Sequence, residues 1–480
     1  SNASVQGGTA RRGQGARSRA YPGGTCATRN AAIVDAGRSG ATGLTQRGTS
    51  RTFLMKGDRM NSGDTAWVLV ASALVMFMTP GLALFYGGMV RAKNILGTLM
   101  QSVFALSLVS VLWVLIGYTL AFGPDKGHLI GGLDYIGFMG VGQGINPDLA
   151  ATIPHQAFAV FQMMFAVITP ALITGAFAER MKFSGYIAFT ALWLVLVYSP
   201  LAHWVWAPGG WIRELGALDF AGGTVVHINA GVAALAAAVV IGKRTGFGRD
   251  VFVPHNLPLT ILGTGMLWFG WFGFNAGSAL AANGLAASAF LATNLGAASG
   301  ACGWALMDAM KARKSTTLGV ASGAVAGLVG ITPAAGFVDP LPAVVIGLAA
   351  GVVCAWAVGL KFRVGYDDSL DVVGVHMFGG IVGALLTGVF ADLAVNDAGA
   401  DGLLAGGGLL LLGKQLIAIV GTLTFSLCVT YLILRFVDAT IGLRVAEEEE
   451  MSGLDLSQHS EVSYIFSENG NGSHVTKPVA

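Results

Sequence analysis

The chain has 480 residues, of which 54% are hydrophobic and 11% charged, against roughly 25% charged in an ordinary soluble domain. That composition belongs to a membrane protein. Gly supplies 70 residues, about twice the usual share of roughly 7%, and small residues let transmembrane helices approach closely. Formal net charge is +2, with ten Lys and Arg but only two Asp in the first sixty residues. The remaining basic residues sit in short loops at helix ends, a distribution that excludes a nucleic-acid partner. Cys302, Cys354 and Cys428 fall in apolar spans and Cys26 in the tail, so the cysteines read as packing residues and not as a disulfide framework. Nothing in the composition calls for a cofactor or a metal.

Residues 1–60 are rich in Gly, Ser, Thr and Arg, with no apolar run long enough for a secretory signal. A disordered basic tail is expected there, with Ser1, Asn2 and Ala3 as an expression remnant and Met55 or Met60 as the natural start; a lipid-binding arm is the competing reading. From Thr65 onward, apolar runs of about twenty residues recur, the length that crosses a core of roughly 30 Å. Eleven are predicted, over approximately 65–88, 98–122, 154–178, 184–204, 221–242, 258–282, 288–310, 317–333, 341–361, 370–391 and 409–436. The expected fold is thus an all-α integral membrane protein, with a transmembrane domain over 61–436 and a C-terminal tail over 437–480. Alternate loops carry most of the basic residues, including Arg91, Lys93, Arg180, Lys182, Lys243, Arg244, Lys311 and Lys361, while the others hold only Lys126 and Arg213. By the positive-inside rule the first set is cytoplasmic, placing the first span's N-terminus outside and the C-terminal tail inside.

Where lipid-facing helices are apolar on most sides, the rare polar residues report what faces protein. His227 and His376 lie in GTVVHINAGVAAL and VVGVHMFGGIVGAL. One such His reads most simply as an interhelical hydrogen bond. Here, however, Asp219 and Asp368 each stand eight residues ahead of a His, in loops assigned to opposite faces, and each can cap a helix. At 1.5 Å per residue both imidazoles fall about 12 Å in, from opposite sides. Gly231 and Gly380 follow four residues after them and permit close packing. Spans one to five and six to ten then read as an inverted repeat, with a long eleventh helix added and the histidines at the axis.

Phe161 and Phe165, in FQMMF, are four apart and share a helix face. Packing accounts for most Phe in a bundle, and Trp206 fits an interfacial belt equally well. GWFGFNAGS differs, because Trp271, Phe274, Asn275 and Ser278 add polar groups to a Gly-rich stretch where a cation could meet ring faces and a hydroxyl.

With these residues stand ALVMFMTPGLALFYGG (73–88), GAFAERMKF (175–183), GALDFAGGTVVHINAG (216–231), GKRTGFGRD (242–250), PHNLP (254–258), GWFGFNAGS (270–278) and GLRVAEEEEMSGLDL (442–456). In this order the motifs resemble the ammonium transporter (Amt) family, from about residue 65 to the C-terminus. The resemblance implies a homotrimer in the cytoplasmic (inner) membrane with one pore per subunit, carrying ammonium or ammonia. It implies an outer recruitment site of Phe165, Trp206 and Ser278, a gate of Phe161, Phe165 and Phe274, and a pore with His227, His376 and Trp271. Asp219 and Gln162 would be structural neighbours of the site. The tail reads GLDLSQHSEVSYIF where the family often has GLDxxxHGExAY, a departure that bears on regulation by a PII-type nitrogen signalling protein.

Three other readings compete. A Rhesus-type channel usually lacks the outer tryptophan site, so Trp206 and Ser278 argue against it. An ammonium sensor usually carries a further signalling domain, and about forty-five residues follow the last span. A membrane enzyme lacks support, since no carboxylate cluster or Cys/His ligand set joins the histidines at their depth.

Overall fold

The computed structural model describes residues 60–464. The expectation for the N-terminal tail therefore lies, apart from Met60, outside the described residues, as do residues 465–480. Ten of the described helices are long and apolar enough to cross a membrane. In chain order the helices are α1 (Ser62–Met89), α2 (Ala92–Phe122), α3 (His155–Phe177), α4 (Phe183–Leu215), α5 (Gly223–Ile241), α6 (Leu257–Gly277), α7 (Gly284–Ala312), α8 (Thr317–Ile331), α9 (Pro340–Val364), α10 (Val373–Phe390) and α11 (Leu410–Thr440). The short one is α8. Its 15 residues rise only about 22 Å, less than a ~30 Å core, and a buried turn through Pro333 carries the chain on to α9.

Local sequence accounts for where these helices begin. Asn61 accepts from the Gly63 and Asp64 amides, Asn256 from Leu259, Asn283 from Ala286 and Thr316 from Gly319, so α1, α6, α7 and α8 each start at a side-chain cap. The loop between α2 and α3 holds two small hairpins the sequence did not announce: Asp125–Lys126 pairs with Ile130–Gly131, and Ile145–Asn146 with Ala150–Pro154.

Glycine decides the closest helix contacts. On α7, α8 and α9 it recurs at a spacing of four, as Gly296 and Gly300, Gly323 and Gly327, Gly347 and Gly351. A Cβ on Gly327 would lie 2.1 Å from the Gly296 carbonyl oxygen, one on Gly347 2.2 Å from the same atom, and one on Gly351 2.2 Å from the Gly300 oxygen. Three backbones therefore meet along one line, the small-xxx-small packing of membrane helices.

The ends of α1, α3 and α5 are tied together by a buried ion network. Arg244 reaches both Asp367, at 2.9 Å, and Glu179, at 3.1 Å, and Glu179 also takes Arg91 at 3.0 Å. Burial pushes the Glu179 carboxyl up, but Arg244 and Arg91 more than offset this and hold it below the ordinary carboxylate range. Arg180, fully buried, donates to the carbonyls of Gly242, Ala176 and Asp367 and to the Ser369 hydroxyl. The tail closes over this end. Two short helices, α12 (Glu447–Ser452) and α13 (Leu454–His459), dock through Glu450, which accepts from the Thr245 amide and pairs with Arg444, and through Asp455, which accepts from the Gly97 amide at 2.9 Å.

Replacing Gly300 by Val should force the α7, α8 and α9 backbones apart, at a cost of about 1–3 kcal/mol for overpacking. Thermal unfolding of the detergent-purified protein should show a lowered midpoint; an unchanged midpoint would mean the contact is not tight.

Candidate functional site

Two helical starts meet at the centre of the bundle. His227 lies in the π-helical first turn of α5, Gly223–Ile228, and His376 in the matching turn of α10, Val373–Met377. Such turns widen the helix by one residue and are often found at functional positions. Asp219 secures the first of them: its carboxylate accepts from the amides of Gly222, Gly223, Thr224 and Val225 and from the Thr224 hydroxyl. Asp368 does the same for α10 through the Val373 amide at 2.7 Å. Burial raises the Asp368 carboxyl; Lys361 opposes this and Asp371 adds to it, and the group titrates at about 6.

Glycine lets the two helices cross at the height of the rings. A Cβ on Gly231 of α5 would fall 2.2 Å from the Met377 nitrogen of α10, and one on Gly380 of α10 would fall 2.8 Å from Ile228 Cγ1 of α5. The imidazoles consequently lie nearly parallel, at an interplanar angle of 20° and a centroid distance of 5.3 Å, with their Nδ1 atoms 3.2 Å apart. In that contact one nitrogen donates and the other accepts, which puts the neutral rings in opposite tautomers. His227 Nε2 is buried with no protein partner.

A line of rings continues from the pair. Trp271 stacks on His227 at 5.4 Å and is held by donating Nε1–H to the Thr332 hydroxyl at 2.9 Å. Phe274 stands 5.9 Å from His227 and 4.3 Å from Phe165, which in turn meets Trp206 edge-on at 5.7 Å. Beside the histidines runs a narrow apolar cavity, bordered by Leu82, Tyr86, Leu172 and Val325, with only about 10 Å³ open to the centre of a water-sized molecule. Above the Phe165–Phe274 contact lies a second cavity of about 350 Å³, which Gln162, Phe165, Trp206 and Ser278 all line. Trp206 is oriented by donating Nε1–H to the Asp219 carbonyl at 3.1 Å. The Ser278 hydroxyl donates to the Phe274 carbonyl at 2.9 Å, leaving its oxygen lone pairs as acceptors.

Phe161 borders neither cavity. It is fully buried, packs behind Phe165 at 5.0 Å and lies against Gly277. Asp219 also stays out of both cavities, its carboxylate taken up by the helix start. Sequence reasoning missed Phe220, Arg213 and Asn396, which line this second cavity; Phe220 and Asn396 come from loops with no periodicity to mark them, and Arg213 from the last turn of α4.

A profile described as Ammonium Transporter Family matches residues 66–464. The chain belongs to the ammonium transporter family. It is 53% identical to the ammonium transporter of Bacillus subtilis over 407 residues, 84% of this chain and 99% of that one. With the ammonium transporter of Mycobacterium tuberculosis (strain H37Rv) it shares 49% identity over 433 residues, 85% of this chain and 91% of that one. Among solved structures, Saccharomyces cerevisiae Mep2 superposes with a TM-score of 0.76 at 39% identity, covering 81% of this chain and 91% of that one. A structure described as a sensor Amt protein also superposes, with a TM-score of 0.76 at 31% identity, covering 83% of this chain and 98% of that one. This member of the family is a multi-pass membrane protein, and the relatives named here as transporters point to transport and not to catalysis.

Asp219→Ala should free the amides at the start of α5 and destabilise the fold by about 1–2 kcal/mol. The check is the thermal midpoint in detergent beside that of Asp219→Asn, which keeps an acceptor and should lie closer to wild type.

Proposed function

We propose that the protein transports ammonium across the cytoplasmic membrane, by gathering the cation at the outer rings, removing a proton, and passing ammonia beside His227 and His376. The observation that carries this reading is the vertical order of the groups: the Trp206 and Ser278 cavity, then the Phe165–Phe274 contact, then the paired imidazoles in an apolar slot. A bare ammonium ion in that slot would be a buried unpaired charge, which costs many kcal/mol. Neutral ammonia has no such penalty. Cation–π contacts of about 0.5–1 kcal/mol each, more when desolvated, gather the ion without trapping it.

In this reading Phe165, Trp206 and Ser278 bind substrate, and Phe165 with Phe274 forms the gate, Phe161 serving as its backing. His227, His376 and Trp271 line the pore, while Asp219 and Gln162 hold the surroundings in place. The released proton passes along the histidine pair. Eleven crossings in two inverted halves, with the N-terminus outside and the C-terminus cytoplasmic, belong to the same reading. So does a homotrimer: Leu69, Val70 and Phe77 on α1 and Ile261, Leu262 and Phe269 on α6 are apolar and exposed. The tail over 437–480 is read as the regulatory segment that a PII-type protein would meet.

Methylammonium uptake into proteoliposomes tests the scheme. Trp206→Ala should raise KM about ten-fold, the loss of one ring contact worth about 1.4 kcal/mol. His227→Ala should instead cut the maximal rate at least about ten-fold, because it removes a group met only in passage. Saturable binding with no uptake by the wild type would favour the sensor reading, and wild-type rates in His227→Ala would sink the pore assignment.

A further inference from the structure

His203 sits in α4, three residues before Trp206, and is fully buried. Both of its ring nitrogens face acceptors. Nδ1 lies 2.9 Å from the Ala121 carbonyl oxygen and Nε2 lies 2.9 Å from Asp125 Oδ1. A carbonyl and a carboxylate have no proton to offer, so a neutral imidazole can satisfy only one of the two contacts and the doubly protonated ring satisfies both. Asp125 is shaped for that partner. His203 comes first among the groups that hold its carboxyl below the ordinary range, and the His128 amide also donates to it.

This pair joins the first outer hairpin to the turn that presents Trp206. Further contacts of the hairpin reach the same turn and the helix end before it: His128 Nδ1 lies 2.6 Å from the Gly209 carbonyl oxygen, the Trp211 amide donates to the His128 carbonyl, and Trp204 Nε1 donates to the Leu129 carbonyl at 2.7 Å. Gly209 takes a positive φ, and a Cβ there would fall 2.7 Å from Asp125 Cβ, so the turn lies directly on the carboxylate. Of titratable groups, Asp125 contacts His203, and His128 contacts Asp125 at 3.8 Å. We infer that Asp125 and His203 form an ion-paired clamp that fixes the height and tilt of Trp206 at the mouth of the outer cavity, making both of them positioning residues for cation recruitment. The inference rests on Trp206 being a recruitment residue.

A positioning role and a merely structural one differ in what they change. Loss of the clamp lets the Trp206 turn move relative to Phe165, which weakens the first encounter with the cation and leaves the gate and the histidines as they were.

The test is methylammonium uptake in proteoliposomes by wild type, His203→Gln, Asp125→Asn and Trp206→Ala. For both clamp variants KM should rise about five-fold with the maximal rate within about two-fold of wild type, the pattern of lost uniform binding. Asp125→Asn, on a partly exposed hairpin, guards against a His203 variant that does not fold. Unchanged KM in both variants, or a fall in maximal rate at unchanged KM, overturns the clamp. If Trp206→Ala itself leaves KM unchanged, the recruitment reading has failed instead, and the two failures are thereby told apart.

Discussion

Two imidazoles can share a hydrogen bond in the middle of this bundle only because two helix starts are brought to the same depth from opposite ends and glycine removes the side chains that would hold them apart. Each half of that arrangement needs the other. Without the carboxylate caps of Asp219 and Asp368, the first turns of α5 and α10 would leave several backbone donors unpaired in an apolar interior, at a cost of about 1–3 kcal/mol each. Without Gly231 and Gly380 the backbones could not approach closely enough for the Nδ1 atoms to meet. Close approach also keeps the passage beside the rings narrow. The slot beside the rings is bordered by apolar side chains and barely admits one small molecule.

The charged groups follow the converse rule. Where the interior excludes charge, ion pairs gather at the helix ends, and the motifs at one end are explained by what they pair with. Glu179 and Arg180, in AERMKF, and Arg244, in GKRTGFGRD, join α3 and α5 to the Asp367 segment just before α10. Breaking one partner of such a buried pair strands the other, which is far more destabilising than the pair is stabilising. Since the same segment carries the Asp368 cap, the network sets where the second histidine begins its descent. The GLDL stretch of the tail enters this scheme as well, because the Leu454 amide donates to Asn94 and Asp455 accepts from Gly97 at the start of α2.

Much of this could be read from residues alone, for physical reasons that differ from place to place. Span lengths follow from the thickness of hydrocarbon, so ten of the eleven predicted helices reach crossing length, and the shortness of α8 comes from Pro333 and a buried turn that hydropathy does not distinguish from helix. That the two histidines meet was readable because each stands eight residues from its cap, a distance that acts as a ruler. Choosing between Phe161 and Phe165 was not possible from spacing, since residues four apart share a face and only the approach of α6 shows that Phe165 meets Phe274. The contact of Asp125 with His203 stayed invisible because the two lie 78 residues apart in the chain with nothing periodic to connect them, and the two small hairpins because most of their strands are only two residues long.

In the proposed recruitment scheme, the composition of the Trp206 cavity constrains how it would hold a cation. Its lining among the described residues includes Arg213 and no carboxylate, and Arg213 donates to the Trp206 carbonyl itself. A carboxylate would attract every cation, with a Coulomb energy of about 1 kcal/mol at 4 Å in water and several times that at a partly dry surface. Ring faces offer less and demand more: the ion must shed part of its water and come within about 6 Å of a ring centroid. In that scheme, with an arginine lowering the local concentration of all cations, affinity at the mouth would depend on how well the Phe165 and Trp206 faces and the Ser278 oxygen are placed. Under the proposed recruitment scheme, weak holding is an advantage, because an ion bound tightly above the Phe165–Phe274 contact would have no reason to give up its proton and enter the slot below.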